Sequence, residues 1–202
     1  MLRVEKLRID GLPALSFEVA AGECLAIEGP SGAGKTRILR ALADLDAPSH
    51  LSGGGHVMLD GVGRDEVAAP VWRQRVRYIP AEPAWWANTG RAHASANPAA
   101  AARFERHAAA LGLAPALLRR PIMTLSTGER LRLGLALGLA GEPRVILLDE
   151  PTAALDVQAT ALVEELVKFQ LLSGRIVILV SHDADQIARL SNSSLQLGAR
   201  AA

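Results

Sequence analysis

The octapeptide Gly29-Pro30-Ser31-Gly32-Ala33-Gly34-Lys35-Thr36 constrains this chain more than any other feature, because it fits G-x-x-x-x-G-K-[ST] in full. Before it, residues 24–27 form a short continuous apolar run; after it, Ile38, Leu39, Leu42 and Leu45 recur at helical spacing over residues 35–45. Strand, tight loop and helix, in that order, are the context in which the motif works. Glycines let backbone N–H groups wrap a phosphate without Cβ clashes, and the helix starting near Lys35 turns the positive end of its dipole toward the anion. The Lys35 ammonium suits β- and γ-phosphate oxygens, and the Thr36 hydroxyl suits Mg²⁺. Nucleotide binding follows, but kinases, GTPases and ATPases all remain open.

The rest of the chain narrows the fold. Leu2, Val4, Leu7 and Ile9 alternate with charged residues, and Leu15, Phe17 and Val19 with polar or small ones, which predicts half-exposed antiparallel strands. Residues 145–148 and 176–180 are further buried-type runs, separated by a helical stretch over 156–172; 183–190 reads as another helix and 194–197 as a terminal strand. Alternating buried strands and helices imply a parallel sheet covered on both faces. Residues 81–140 are different, rich in Ala, Arg and Leu with little strand character. There Asn97 suits a helix N-cap with Pro98 at the first position, and the helix over 99–111 runs to Gly112. The expectation is one α/β domain over 1–202, with a core from 1–80 and 141–202 and a helical lobe inserted at 81–140.

Composition excludes other classes. With 22 Lys plus Arg against 21 Asp plus Glu, the net charge of +1 argues against a protein that coats a polyanion, so no nucleic-acid partner is expected. Half of the 202 residues are hydrophobic and mean hydropathy is +0.19, which raises the question of a membrane protein. The runs at 131–140, 145–148 and 176–180 fall short of the roughly 20 apolar residues that a bilayer crossing needs, and Arg132, Asp149 and Ser181 interrupt or end them. The N-terminus has no apolar signal region, the single Cys24 reads as a small core residue, and a cytoplasmic location is the default.

Asp149-Glu150 ends the run 145–148 and so lies at a strand's carboxyl end, where Asp149 can enter a Mg²⁺ shell and Glu150 can polarise a water for in-line attack on the γ-phosphate. Leu125-Ser126-Thr127-Gly128-Glu129, followed by the helical run 130–139, separates the nucleotide classes. It resembles the signature motif of ATP-binding-cassette (ABC) ATPases. Pro151-Thr152-Ala153-Ala154-Leu155-Asp156 resembles that family's segment through the D-loop, and Val180-Ser181-His182-Asp183 its switch-histidine segment. The resemblance covers nearly the whole chain. It implies a P-loop NTPase (RecA-like) core with an N-terminal antiparallel β subdomain and an inserted helical subdomain. It further implies the nucleotide-binding subunit of an ABC transporter, an ATPase using ATP and Mg²⁺ and driving a separate membrane permease from the cytoplasmic face.

In that family ATP is sandwiched between the phosphate loop of one subunit and the signature of another. Ser126, Thr127 and Gly128 would then complete the site across a homodimer or a pair with a similar cassette. Lys35, Glu150 and His182 are the expected catalytic groups, Thr36 and Asp149 the metal ligands, and Asp156 the link across the interface. His50, His56, His93 and His107 carry no such context. The competing reading is a soluble ABC-type ATPase acting on nucleic acid or a protein complex, but no coiled-coil insertion, second cassette or basic surface is visible. A P-loop kinase would lack residues 125–129. In size the chain is similar to small exporter-type cassettes.

Three positions depart from the family pattern. Aligning the prolines in Tyr78-Ile79-Pro80-Ala81-Glu82 puts Ala81 where the family has a Mg²⁺-reaching Gln, and Glu82 should point away. Residues 9–13 lack the aromatic residue that stacks on adenine. Thr127 stands for the usual second-position Gly but keeps its backbone donor. Trp85-Trp86, directly after the altered loop, is expected to line the groove that receives the permease.

Overall fold

The computed structural model describes residues 1–46, 55–94 and 96–198, so His50 lies outside the described residues. In chain order the strands are β1 (Leu2–Leu7), β2 (Leu15–Val19), β3 (Cys24–Glu28), β4 (His56–Leu59), β5 (Val62–Gly63), β6 (Val76–Ile79), β7 (Val145–Asp149), β8 (Ile176–Val180) and β9 (Ser193–Gln196). The helices are α1 (Lys35–Leu42), α2 (Ala69–Arg75), α3 (Gly90–His93), α4 (Pro98–Ala110), α5 (Thr127–Leu139), α6 (Val157–Leu172) and α7 (Ala184–Leu190).

Two sheets result. β2-β1-β4-β5 is antiparallel, and β6-β7-β8-β3-β9 is parallel throughout. The continuous apolar runs of the parallel strands follow from having two buried faces. Val145 and Leu147 of β7 and Ile176, Ile178 and Val180 of β8 face one core, shared with the antiparallel sheet and α1. The intervening Ile146, Leu148, Val177 and Leu179 face a second core, shared with α4, α5 and α6. One sheet therefore joins both cores, which is why period-2 alternation disappears from these strands. Cys24 is fully buried in the second core, and desolvation pushes its thiol up to about 12, as its core placement predicts.

Local chemistry sets the element ends. α1 stops at Leu42 rather than reaching Leu45, because Asp44 takes a left-handed φ of 57°. Trp72, fully buried, donates its indole N–H to the Leu42 carbonyl at 2.9 Å and so satisfies an orphan acceptor of that helix end. Asn97 caps α4 by accepting from the Ala99 N–H at 2.9 Å, with Pro98 opening the helix. Among the described residues, 81–140 holds α3, α4 and α5 and no strand beyond an isolated bridge between Thr89 and Pro121. No helix among the described residues is long and apolar enough to cross a membrane.

Candidate functional site

β3 lies between β8 and β9 in the parallel sheet, and the loop 29–34 turns the chain into α1. Gly29, at φ 149°, passes so close to the last strand that a Cβ would sit 2.7 Å from the Leu197 carbonyl oxygen. Gly34 is the N-cap of α1 at φ 98° and leaves the helix start with no side-chain cap. An uncapped helix start at a strand's carboxyl end is a site for an anion. Lys35 supplies the matching charge: it is only 7% exposed, and its Nζ donates to the carbonyls of Gly29 at 2.7 Å and Pro30 at 3.1 Å. The ammonium thus ties the loop to its own carbonyls, weak acceptors that a phosphate can replace.

The neighbouring strands bring up oxygen. Asp149, the last residue of β7, accepts at Oδ2 from the Thr36 hydroxyl at 2.8 Å and from the Tyr78 hydroxyl at 2.9 Å. Burial, reinforced by the Asp149 carboxylate, holds the Tyr78 phenol far above its ordinary pKa, so it stays a donor. Hard oxygen donors at the mouth of the loop fit Mg²⁺, which takes one or two protein ligands and completes its octahedron with phosphate and water.

Glu150 follows with a left-handed φ of 49°, a conformation that costs a residue with a Cβ and recurs at functional turns. Its Oε2 accepts from the His182 backbone N–H at 3.3 Å. His182 Nε2 lies 3.3 Å from Glu150 Oε1, yet the alignment leaves that buried oxygen without a hydrogen bond. Burial raises the Glu150 pKa above the ordinary glutamate value, with Asp149 adding to it and the His182 ring, its backbone N–H and Lys35 opposing. The result is a carboxylate more basic than usual, with one buried oxygen that lacks a hydrogen bond.

Ser31, Gly32, Gly34, Lys35, Thr36, Asp149, Glu150 and His182 line one cavity of about 300 Å³. Gly29 and Pro30 present their carbonyls to Lys35 from behind it, and Ala33 is buried. Ser126, Thr127, Gly128 and Asp156 do not line it. Ser126 caps α5 in a reciprocal box, its Oγ accepting from the Glu129 N–H at 3.2 Å while its own N–H donates to Glu129 Oε2 at 2.7 Å. Asp156 caps α6 through the Ala159 N–H at 2.8 Å. Ala81 and Glu82 are exposed and outside the cavity. A second cavity of about 540 Å³ between α4 and α6 contains none of these groups, and its Arg103 and Arg175 both pair with Glu142.

The tryptophan pair divides. Trp85 packs against the second core, while Trp86 is 77% exposed and lines a groove of about 530 Å³ with Gln74, Arg77, Tyr78 and His93. His93, unassigned from the sequence, organises this corner. Its ring meets Trp85 edge-on at 5.2 Å and Trp86 at 4.5 Å, and its Nε2 accepts from the backbone N–H groups of Trp86 and Ala87. Tyr78 was missed too; its nearest sequence signal is its place on the strand that enters the altered loop.

Fold and site together define a P-loop nucleotide-binding protein. Residues 12–153 match the family model described as ABC transporter, and the chain belongs to that family. It is 34% identical over 188 residues to Protein STAR1 of Oryza sativa subsp. japonica, covering 90% of this chain and 53% of that protein. It is also 34% identical over 217 residues to the nickel import ATP-binding protein NikO of Rhodobacter capsulatus, covering 94% of this chain and 81% of that one. Against four of the curated relatives it matches, the chain spans only 50% to 59% of their length. In fold it is similar to a dimeric ATP-binding cassette in a post-hydrolysis state with ADP and Pi, at TM-score 0.84 and 21% identity, covering 98% of this chain and 94% of that one.

Proposed function

We propose that this chain is the ATP-binding and ATP-hydrolysing subunit of an ABC transporter, a single cassette over 1–202 with a helical subdomain at 81–140, driving a separate permease. The observation that carries the reading is the cavity where an uncapped helix start, a buried lysine, an Asp149–Thr36 oxygen pair and a basic Glu150 converge. On nucleotide binding, Lys35 exchanges two loop carbonyls for phosphate oxygens. Thr36 and Asp149 hold Mg²⁺, which when bound neutralises phosphate charge. Glu150 orients and polarises the attacking water, and His182, beside it, contacts the γ-phosphate.

Ser126, Thr127 and Gly128 face no nucleotide cavity of their own chain, so they act on the nucleotide of a second cassette, identical or similar, with Asp156 at the joint. The groove beside Trp86 suits the permease: Arg77 has a buried Nε without a hydrogen-bond partner, and no carboxylate lines the groove. Coupling to a permease places the cassette at the cytoplasmic membrane face. Several relatives carry import names, which favours uptake.

Replacement of Glu150 by Gln tests the core of this reading. The variant should trap an ATP-dependent dimer on size exclusion; a monomer with undiminished phosphate release refutes both the shared site and the Glu150 role. Trp86→Ala should weaken copurification of the permease, and a basal ATPase rate insensitive to any permease favours the non-transport ABC-ATPase reading instead.

A further inference from the structure

Ala81 leaves the metal end of the site without the side chain that the family's pattern places there, and the neighbouring strand supplies a different one. Tyr78 sits on β6, the edge strand of the parallel sheet, paired with Leu147 of β7. Its hydroxyl reaches the last residue of β7, donating to Asp149 Oδ2, the oxygen that Thr36 also contacts. The same residue lines the groove that holds Trp86, Arg77 and Gln74. One side chain therefore donates to the nucleotide site's carboxylate, packs its ring against the first core and borders the groove.

We infer that Tyr78 is a positioning residue that fixes the Asp149 carboxylate for the metal and ties it mechanically to the Trp86 groove, in place of the missing Gln. The inference rests on the nucleotide-site reading above. The chemistry is that of outer-shell support: a neutral donor on a ligating carboxylate fixes its rotamer and leaves the other oxygen free, and β6 carries any movement of Asp149 into the loop 80–87. Thr36, the other donor to Oδ2, would itself be a metal ligand, which leaves Tyr78 as the donor outside the metal's shell. Ala81 and Glu82, both exposed, line neither the nucleotide cavity nor the groove.

Tyr78→Phe removes one oxygen and keeps the ring, so the core stays filled. Binding of a fluorescent ATP analogue is titrated against Mg²⁺, and the magnesium midpoint should rise about tenfold, the usual scale for losing an outer-shell partner. Affinity in EDTA should change by less than about twofold on the same ground. The second readout is fluorine NMR of 5-fluorotryptophan-labelled protein, with the Trp86 signal assigned through Trp86→Phe. Addition of Mg-ATP should shift that signal in the unsubstituted protein and leave it unmoved in Tyr78→Phe at saturating nucleotide. An unchanged magnesium midpoint, or a Trp86 shift that persists, overturns the assignment. Failure of the unsubstituted protein to bind Mg-ATP would instead overturn the proposed function, and this inference with it.

Discussion

Two helices in this chain begin where an anion is expected, and they begin differently. α1 opens on Gly34 with no side-chain cap, behind a buried lysine, at the mouth of a cavity. α5 opens on Ser126 with a closed capping box, its first residues exposed and remote from that cavity. A helix start that is meant to receive a ligand inside its own chain is left unsatisfied; one that waits for a ligand from elsewhere is kept satisfied in the meantime. On the proposed reading the phosphate loop is competent by itself, whereas the signature would give up part of its cap to a second cassette.

The largest effect should come from the open helix start. Lys35→Met keeps much of the side-chain volume and removes the one buried cation that lines the cavity among the described residues. Turnover should fall by about 100-fold or more, the scale for losing a preorganised charge at a transferring phosphoryl group. Nucleotide affinity should fall as well. Phosphate release and equilibrium nucleotide binding check it; retention of both would mean that α1 and α5 do not differ as their caps suggest.

A smaller and more selective effect belongs to the closed one. Ser126→Ala costs the α5 cap about 1 kcal/mol of stability. Turnover should fall about tenfold, one charge-assisted contact at the shared site, while binding of nucleotide to the monomer stays within about twofold by the same measure. Glu129→Gln keeps the reciprocal box, since Gln serves at that position, and should stay near the starting rate. If Ser126→Ala weakened monomer binding as Lys35→Met does, the signature would belong to its own chain's nucleotide.

Much of this contrast was legible in the sequence and part of it was not. The strands around 24–28, 145–149 and 176–180, the cap at Asn97 and the loop 29–36 could be read because each depends on a local pattern: a run buried on both faces, a polar residue before a proline, glycines before a lysine. Tyr78 and His93 could not. Tyr78 matters because β6 pairs with β7, and His93 because a loop folds back over its ring; both are contacts that no spacing along the chain encodes. The tryptophan pair shows the same limit. Adjacent residues on an irregular segment point apart, and only tertiary packing decides that Trp85 is the covered one.

The pH profile sharpens the same cavity at a finer scale. Burial lifts the Glu150 pKa, so the carboxylate proposed to polarise water is lost as pH falls through a value higher than an ordinary glutamate's. The acid limb of kcat should therefore lie above the usual glutamate range. His182→Gln keeps the backbone N–H but removes the ring, one of the influences that lower this pKa, and should move the limb further toward neutral pH. A limb that ignores this substitution would place the titrating group elsewhere.

The smallest effect concerns the base rather than the phosphates, because nothing built like either helix start awaits it. Leu12 packs against the backbone at Gly34, within 2.9 Å of where a Cβ would stand, and Arg37 donates to the Asp10 carbonyl at 2.7 Å. These contacts close the loop 10–13 over the phosphate side with an aliphatic surface. Phe17, the nearest aromatic residue in sequence, packs into the first core. An aliphatic contact does not distinguish the exocyclic groups of adenine from those of guanine, and the 1 to 3 kcal/mol that an aromatic face contributes to stacking is missing. ATP and GTP should then compete with midpoints within about threefold, since phosphate and magnesium contacts common to both carry the affinity. Competition binding with Mg-ATP and Mg-GTP measures this directly. A preference for ATP above about tenfold, roughly 1.4 kcal/mol, would mean that a second cassette or another segment closes over the base, and the phosphate loop would no longer be the self-sufficient half of the comparison.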